Sequence, residues 1–226
     1  MNDGAKKTHS LKPKTLLLLQ QLDELATILA VSSHSCKFIG LSYGMIGIAV
    51  FFFHYARYKD NMLFANYALK LIEKAQENIH NDSPLNYAEG LTGIGTGIEY
   101  IAQQGFLDID TDDILYDFDK KIAEMTPKHK LYLSFQVLVD MKRYFSVRLE
   151  NPKTKSTVFL YKSINEISAI MELHERVGVT FEERPNSNKL SQDNPDNLGI
   201  EGLAGKGLAL LEKLNPKHDT WLSLKK

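Results

Sequence analysis

Hydrophobic positions along the chain fall into two alternating kinds of segment, and that alternation predicts a series of helical hairpins. Leu18, Leu22, Leu25 and Leu29 recur at helical spacing behind Pro13, a residue suited to a first helical turn, and the stripe stops near Ser32-Ser33-His34-Ser35. From about Ser42 to Tyr58 apolar residues lie on nearly every side, Val50-Phe51-Phe52-Phe53 among them, which predicts a buried helix. From Asn61 to about Ile79 the pattern turns amphipathic: Phe64, Ala68, Leu71, Ala75 and Ile79 share one face, and Lys70, Glu73, Lys74 and Glu77 face water. The pair then recurs. A second apolar helix is expected from about Tyr87 to Gln104, closed by Gly105, followed by a helix that starts at Thr111-Asp112-Asp113 and buries Ile114, Leu115, Phe118 and Ile122. Leu131 to Leu149 carries the stripe Phe135, Leu138, Val139, Phe145 and Leu149, and Val158 to Val177 the stripe Leu160, Ile164, Ile167, Met171 and His174. Residues 1–10 are expected to be disordered and 178–198 to form a loop, and the last helix, Gly199 to Leu214, stops at Asn215-Pro216.

Glycine marks three of these helices. Gly44-Met45-Ile46-Gly47-Ile48-Ala49, Gly90-Leu91-Thr92-Gly93-Ile94-Gly95 and Gly202-Leu203-Ala204-Gly205-Lys206-Gly207 share one frame of glycine, apolar, small or apolar, glycine, any residue, small. Glycine inside a helix costs roughly 0.5–1 kcal/mol against alanine, so a repeated frame needs a packing or functional reason. Gly90, Gly93 and Gly97 fall on one helical face, as do Gly40, Gly44 and Gly47, and a face without side chains admits a neighbouring backbone or a bound peptide. Gly44 and Gly90 are 46 residues apart and Gly90 and Gly202 are 112 apart, which leaves room for a glycine-free unit, Val137 to Leu149, between the second frame and the last. The expected fold class is all-α, one domain over 1–226, its hairpins stacked as an open solenoid or curved with the buried helices inside.

Composition narrows this picture in three ways. A chain of 226 residues, 43% hydrophobic, suffices for one domain with a substantial core. Its net charge of -1 offers no general attraction to nucleic acid or to an anionic membrane. The single cysteine, Cys36, excludes an internal disulfide and suits a reducing compartment. Lys6, Lys7, Lys12 and Lys14 ahead of Leu16 to Leu19 imitate the start of a signal peptide, but Gln20, Gln21, Asp23 and Glu24 follow at once, so an amphipathic helix is the better reading. Met45 to Tyr55 falls short of the ~20 residues a bilayer needs. No membrane span is expected, and the cytoplasm is the expected location.

Other signals favour ordinary structure over chemistry. Cys36 and His34 supply two ligands in one loop, short of a metal site, and His54 and His174 lie on apolar helical faces as hydrogen-bonded core histidines do. Asp108, Asp110, Asp112 and Asp119 imitate a calcium loop, but Asp113 stands where its glycine belongs. Lys206 is followed by Gly207, so no phosphate-binding Gly-Lys-Ser/Thr loop exists, and the glycines of Gly93-Ile94-Gly95 lack a strand-helix-strand context.

At the glycine frames the chain resembles the lanthionine synthetase C-like family, cyclases that add cysteine thiols to dehydrated residues of precursor peptides. Leu41-Ser42-Tyr43-Gly44-Met45-Ile46-Gly47-Ile48-Ala49 looks like that family's first repeat. Glu89-Gly90-Leu91-Thr92-Gly93-Ile94-Gly95 with Tyr100 and Gly105-Phe106-Leu107 looks like its second, and Gly202 to Leu211 with Asn215-Pro216 like its closing one. Val137 to Leu149 is similar to a middle repeat whose glycines have become Val137, Asp140 and Lys142. The resemblance implies an α/α toroid, inner helices forming a barrel, and a zinc ion held by two cysteines and a histidine. This chain departs there: it has one cysteine, no Cys-His pair, and Trp221 as its only tryptophan. Zinc would lower a thiol's pKa for attack, so without its ligands ordinary cyclase activity is not expected, nor any metal or cofactor. With four inner helices, the toroid is expected to be incomplete: an open arc, a smaller closed bundle, or an arc completed by a homodimer.

One column remains as candidate chemistry. Tyr43, Glu89 and Glu201 each precede the first glycine of a frame and in a toroid would converge at one end of its cavity; capping and dipole compensation by the two glutamates is the competing reading. Three functions follow: a zinc-free, non-catalytic relative that binds a precursor peptide or a peptide-maturation enzyme; a zinc-independent, glycan-processing type of enzyme using Glu89 and Glu201 as acid and base; or an inactive remnant of a longer gene.

Overall fold

Entry into each helix is decided at its first turn, and the chain uses two devices for it. In a computed structural model describing residues 13–80, 82–124, 133–177 and 197–216 with Trp221 and Leu224, nine α-helices and one 3-10 turn occur and no strand is present among those residues. They are α1 (Pro13–Ser32), α2 (Met45–Lys59), α3 (Met62–Glu77), α4 (Leu91–Gln103), α5 (Thr111–Ile114), α6 (Tyr116–Ala123), α7 (Phe135–Glu150), α8 (Thr157–Val177) and α9 (Leu203–Leu214). Asn61, Asp110 and Ser134 begin α3, α5 and α7 with a side-chain oxygen that accepts a backbone N–H of the first turn. Gly44, Gly90 and Gly202 begin α2, α4 and α9 with no side-chain cap at all. Those three glycines are therefore helix N-caps, and the helices start later than the apolar pattern suggests because Ser42-Tyr43, Tyr87 to Glu89 and Gly199 to Glu201 belong to the preceding loops.

The alternation of buried and covering helices holds. Every residue of α2 from Met45 to Phe53, and of α4 from Leu91 to Ile101, is buried. α3 lays Ala68, Leu71 and Ala75 against α2, and α8 lays Leu160 and Ile167 against α7. Asp60, at φ 51°, turns the chain directly from α2 into α3. Gly105, at φ 64°, ends α4 with its N–H on the Ala102 carbonyl and that of Phe106 on Ile101, the paired closure that glycine permits. Buried helices neighbour one another in the order α9, α2, α4, α7, with α1 against α9. Glycines set those approaches: a Cβ on Gly207 would overlap Phe51, one on Gly97 would overlap Ile46, and one on Gly95 would overlap the Tyr144 ring.

One apolar cluster runs from Leu22 to Leu224 through all of these helices except α5. Four apolar stripe residues lie outside it: Leu18 and Val139 are half-buried, and Ile114 and Phe135 are each 40% exposed, because Ile114 ends a four-residue helix before the chain re-aims at Leu115 and Phe135 occupies the first turn of α7. In α1 Leu22 and Leu29 are buried as the stripe predicts and Leu25 is half-buried; Ala26 is buried as well, while Leu16, Leu17, Ile28 and Val31 are exposed. Pro13–Ser35 is long and apolar enough, by length and composition alone, to cross a membrane. The stretch 1–10 expected to be disordered, and residues 178–196 of the expected loop, lie outside the described residues. Asn197 and Leu198, the end of that loop, are buried.

Candidate functional site

Three loops of one design meet beside the starts of α2, α4 and α9. In each, the loop folds back over the first helical turn: Met45 N–H reaches the Phe38 carbonyl, Leu91 N–H that of Pro84, and Leu203 N–H that of Asn197. A Cβ on the first glycine of each frame would overlap those same carbonyls, and one on Gly47, Gly93 or Gly205 would overlap the carbonyl of Leu41, Tyr87 or Ile200. Both glycines of each frame are thus occupied by the chain's own backbone. The loops are also joined side to side in one direction: Glu201 N–H donates to Ser42 O at 3.0 Å, and Ser42 N–H to Ala88 O at 3.1 Å. Tyr87 N–H continues the series to the Asp140 carboxylate of α7 at 2.9 Å. There the acceptor is a side chain of α7 and not a neighbouring loop carbonyl.

This joining brings Tyr43, Glu89 and Glu201 together, all half-buried. Burial, then the Glu201 and Glu89 carboxylates, push the Tyr43 phenol above its ordinary range, and burial pushes Glu89 up. Beside them the Tyr87 phenol is also raised, by burial first, with Asp140 and Glu201 adding and Arg143 opposing. The Arg143 guanidinium lies 3.8 Å over the Tyr87 ring. Arg143 Nη2 and Tyr87 Oη each donate to the Leu224 carbonyl at 2.6 Å. Leu224 and Trp221 are both buried, and Trp221 lines a cavity of about 30 Å³ with His54, Arg57, Tyr58, Leu208, Leu211, Glu212 and Asn215.

A second polar cluster ties α4, α5, α6 and α7 together. Arg148, fully buried, donates to Glu99 at 2.7 Å, to Asp119 and Asp112 at 2.9 Å each, and to the Thr111 hydroxyl at 2.9 Å. Tyr144 donates to Asp119 at 2.6 Å, and Asn151 donates to Glu99 and Thr111. Burial pulls the Arg148 pKa down, but the hydrogen bonds and charge of Asp119 more than reverse that. Burial raises Asp119 beyond what Arg148 and Tyr144 restore. Asp112, also desolvated, is nonetheless held low by the Lys155 N–H, the Ser156 hydroxyl and Arg148. The aspartates that imitate a calcium loop are therefore divided among cations of this chain, with Asp110 on Lys155 and Asp108 near Lys153.

Sequence reasoning placed Tyr43, Glu89 and Glu201 but missed Tyr87, Asp140, Arg143, Leu224 and Arg148. One signal was present: Arg148 continues the helical stripe Leu138, Met141, Phe145. His54 is a hydrogen-bonded helix histidine, its Nε2 2.7 Å from the Tyr100 hydroxyl. Cys36 is buried with its thiol donating to the Phe38 carbonyl, and among the described residues no group of three metal-ligating side chains occurs. The described residues define an all-α protein whose buried helices are entered through glycine-tightened loops. No protein-family model, curated protein or solved structure matches the chain.

Proposed function

We propose that the chain is a shortened relative of the lanthionine synthetase C-like proteins, with α2, α4, α7 and α9 as inner helices of an incomplete α/α toroid. On this reading it binds a precursor peptide or a peptide-maturation enzyme and does not close rings. The observation that carries it is the one-directional relay of loops, from Glu201 to Ser42, from Ser42 to Ala88, and from Tyr87 to Asp140. The relay joins the three stretches that resemble the family's repeats and ends on the glycine-free one. The mouth at Tyr43, Glu89 and Glu201 is where a peptide is met, and one cysteine without a Cys-His pair gives zinc no ligand set. Calorimetric titration with dehydrated, cysteine-bearing precursor peptides tests this. Saturable binding with an unchanged count of free thiols is expected. Falling thiol counts would make the protein a cyclase, and no binding to any such peptide would remove the peptide reading.

A second reading is favoured by one observation: Glu89 and Glu201 act on the same Tyr43, and burial raises Glu89. A carboxyl that burial pushes toward its neutral form, sharing a phenol with a second carboxylate, has the chemistry from which an acid and base pair is made. Hydrolysis of an oligosaccharide panel that disappears in Glu89→Gln would establish it, and inert behaviour toward the whole panel would dismiss it.

A further inference from the structure

Trp221 and Leu224 do not simply cover the end of α9; they occupy positions in which other parts of the chain grip them as a ligand is gripped. Leu224 is 3% exposed, and its carbonyl receives two donors, Tyr87 Oη and Arg143 Nη2, from two different elements. Arg143 is oriented for this by lying flat on the Tyr87 ring. Three positions earlier Trp221, 5% exposed, lies between the ends of α2 and α9, where it lines a cavity of about 30 Å³ together with His54, Arg57, Leu208 and Glu212. Recognition through a backbone carbonyl and a large aromatic anchor is how a peptide is held by a site that reads little else.

We propose that this is a peptide-binding site whose resident occupants are the chain's own Trp221 and Leu224. It takes in trans an unstructured peptide with a bulky aromatic residue and an aliphatic residue three positions on. The proposal deepens the peptide-binding reading above and rests on it: the site is filled in cis until a peptide of this chemistry displaces the segment. A tethered occupant competes at a high effective concentration, so the cis segment sets a threshold on trans binding.

The test uses the full chain and a synthetic peptide, Asp-Thr-Phe-Leu-Ser-Leu-Lys-Lys, which copies residues 219–226 with phenylalanine for tryptophan and carries a fluorescein. Trp221 is the only tryptophan, so its emission reports the cis segment alone. Saturating peptide is expected to shift that emission to longer wavelength in the wild type. Leu224→Asp, which places a charge in a buried apolar position, is expected to bind the peptide at least 10-fold more tightly by anisotropy, and adding Arg143→Met to remove that gain. Equal affinity of wild type and Leu224→Asp, or no binding by a folded Leu224→Asp, overturns the proposal. Should Leu224→Asp fail to fold, an unshifted Trp221 emission in the wild type at saturating peptide overturns it alone. Precursor peptides that bind wild type and Leu224→Asp equally sink this site but leave the peptide reading standing. Binding of the synthetic peptide with no competition from any precursor peptide does the reverse.

Discussion

The loops before α2, α4 and α9 and the helix α7 do the same job of presenting a buried helix to its neighbours, but with opposite chemistry. The loops have no side chains at the contact. Gly44, Gly90 and Gly202, with Gly47, Gly93 and Gly205, let backbone lie on backbone, and the hydrogen bonds run from N–H to carbonyl. In α7 the contacts are made by long side chains: Asp140 receives the Tyr87 N–H, Tyr144 fills the space above Gly95, and Arg148 gathers Glu99, Asp112 and Asp119. Backbone contacts are insensitive to pH and intolerant of any Cβ. Side-chain contacts tolerate conservative change but place charges in a desolvated interior, where each depends on its partners.

Removing Arg148 should therefore produce the largest effect. Arg148→Met strands Glu99 and Asp119 in the core without their cation, and breaking a buried pair in this way costs about 3–5 kcal/mol. Urea unfolding should show the midpoint collapse. Replacing Glu99 and Asp119 by Gln and Asn in the same chain should recover much of the loss; if it does not, Arg148 acts through packing and not through charge.

Gly93→Ala breaks the other side of the comparison. A helix position open to solvent would gain from alanine, but here the new Cβ meets the Tyr87 carbonyl, whose loop also carries Tyr87 N–H to Asp140. Because the obstacle is backbone, a loss of about 3 kcal/mol is expected, the upper end for overpacking. The sign is what decides: a stabilised Gly93→Ala would mean that the frame is kept for a ligand and not for the loop.

Asp140 is where the two chemistries meet, and it should give a smaller, graded result. Asp140→Ala leaves the Tyr87 N–H buried without an acceptor and should cost about 1–2 kcal/mol. Asp140→Asn keeps an acceptor oxygen and loses a carboxylate that burial already pushes toward its neutral form, so it should melt close to the wild type. Equal losses in both variants would show that the charge, not the hydrogen bond, continues the relay.

These regions also differ in how far the sequence reveals them. A contact made of backbone leaves a trace, because only glycine permits it, and the repeated frames disclosed the buried helices and the column Tyr43, Glu89, Glu201. What the frames could not disclose is that their first glycines are caps, since a Cβ clash at a cap and one inside a helix leave the same residue behind. Contacts made of side chains leave a fainter trace. Asp140 and Arg148 appear in sequence only as charges among the apolar residues of one helix, and their partners Tyr87, Glu99, Asp112 and Asp119 are 29 to 53 residues away. Leu224 was less visible still, because its carbonyl is what Tyr87 and Arg143 grip, and every residue has one.

The smallest effect separates the mouth from the buried network by pH. Burial raises Glu89 above its ordinary 4.5, so ionised Glu89 is disfavoured in the folded chain relative to the unfolded one. Glu89→Gln removes that penalty and should melt slightly higher than the wild type at pH 7. The difference should fade as pH falls through the raised folded pKa, and be gone below 4.5, where wild-type Glu89 is protonated in both states. Asp112 has the opposite sign: held below its ordinary 3.8, it contributes stability above that pH and loses it as pH falls through the depressed folded value. Asp112→Asn should therefore melt lower than the wild type at pH 7 and at pH 5 by the same margin, converging with it only under stronger acid. Melting curves of both variants at pH 7, 5 and 3 read the two signs directly. A Glu89→Gln advantage that persists unchanged at pH 3 would mean that Gln acts there through packing, and that the mouth carries no charge penalty for a ligand to relieve.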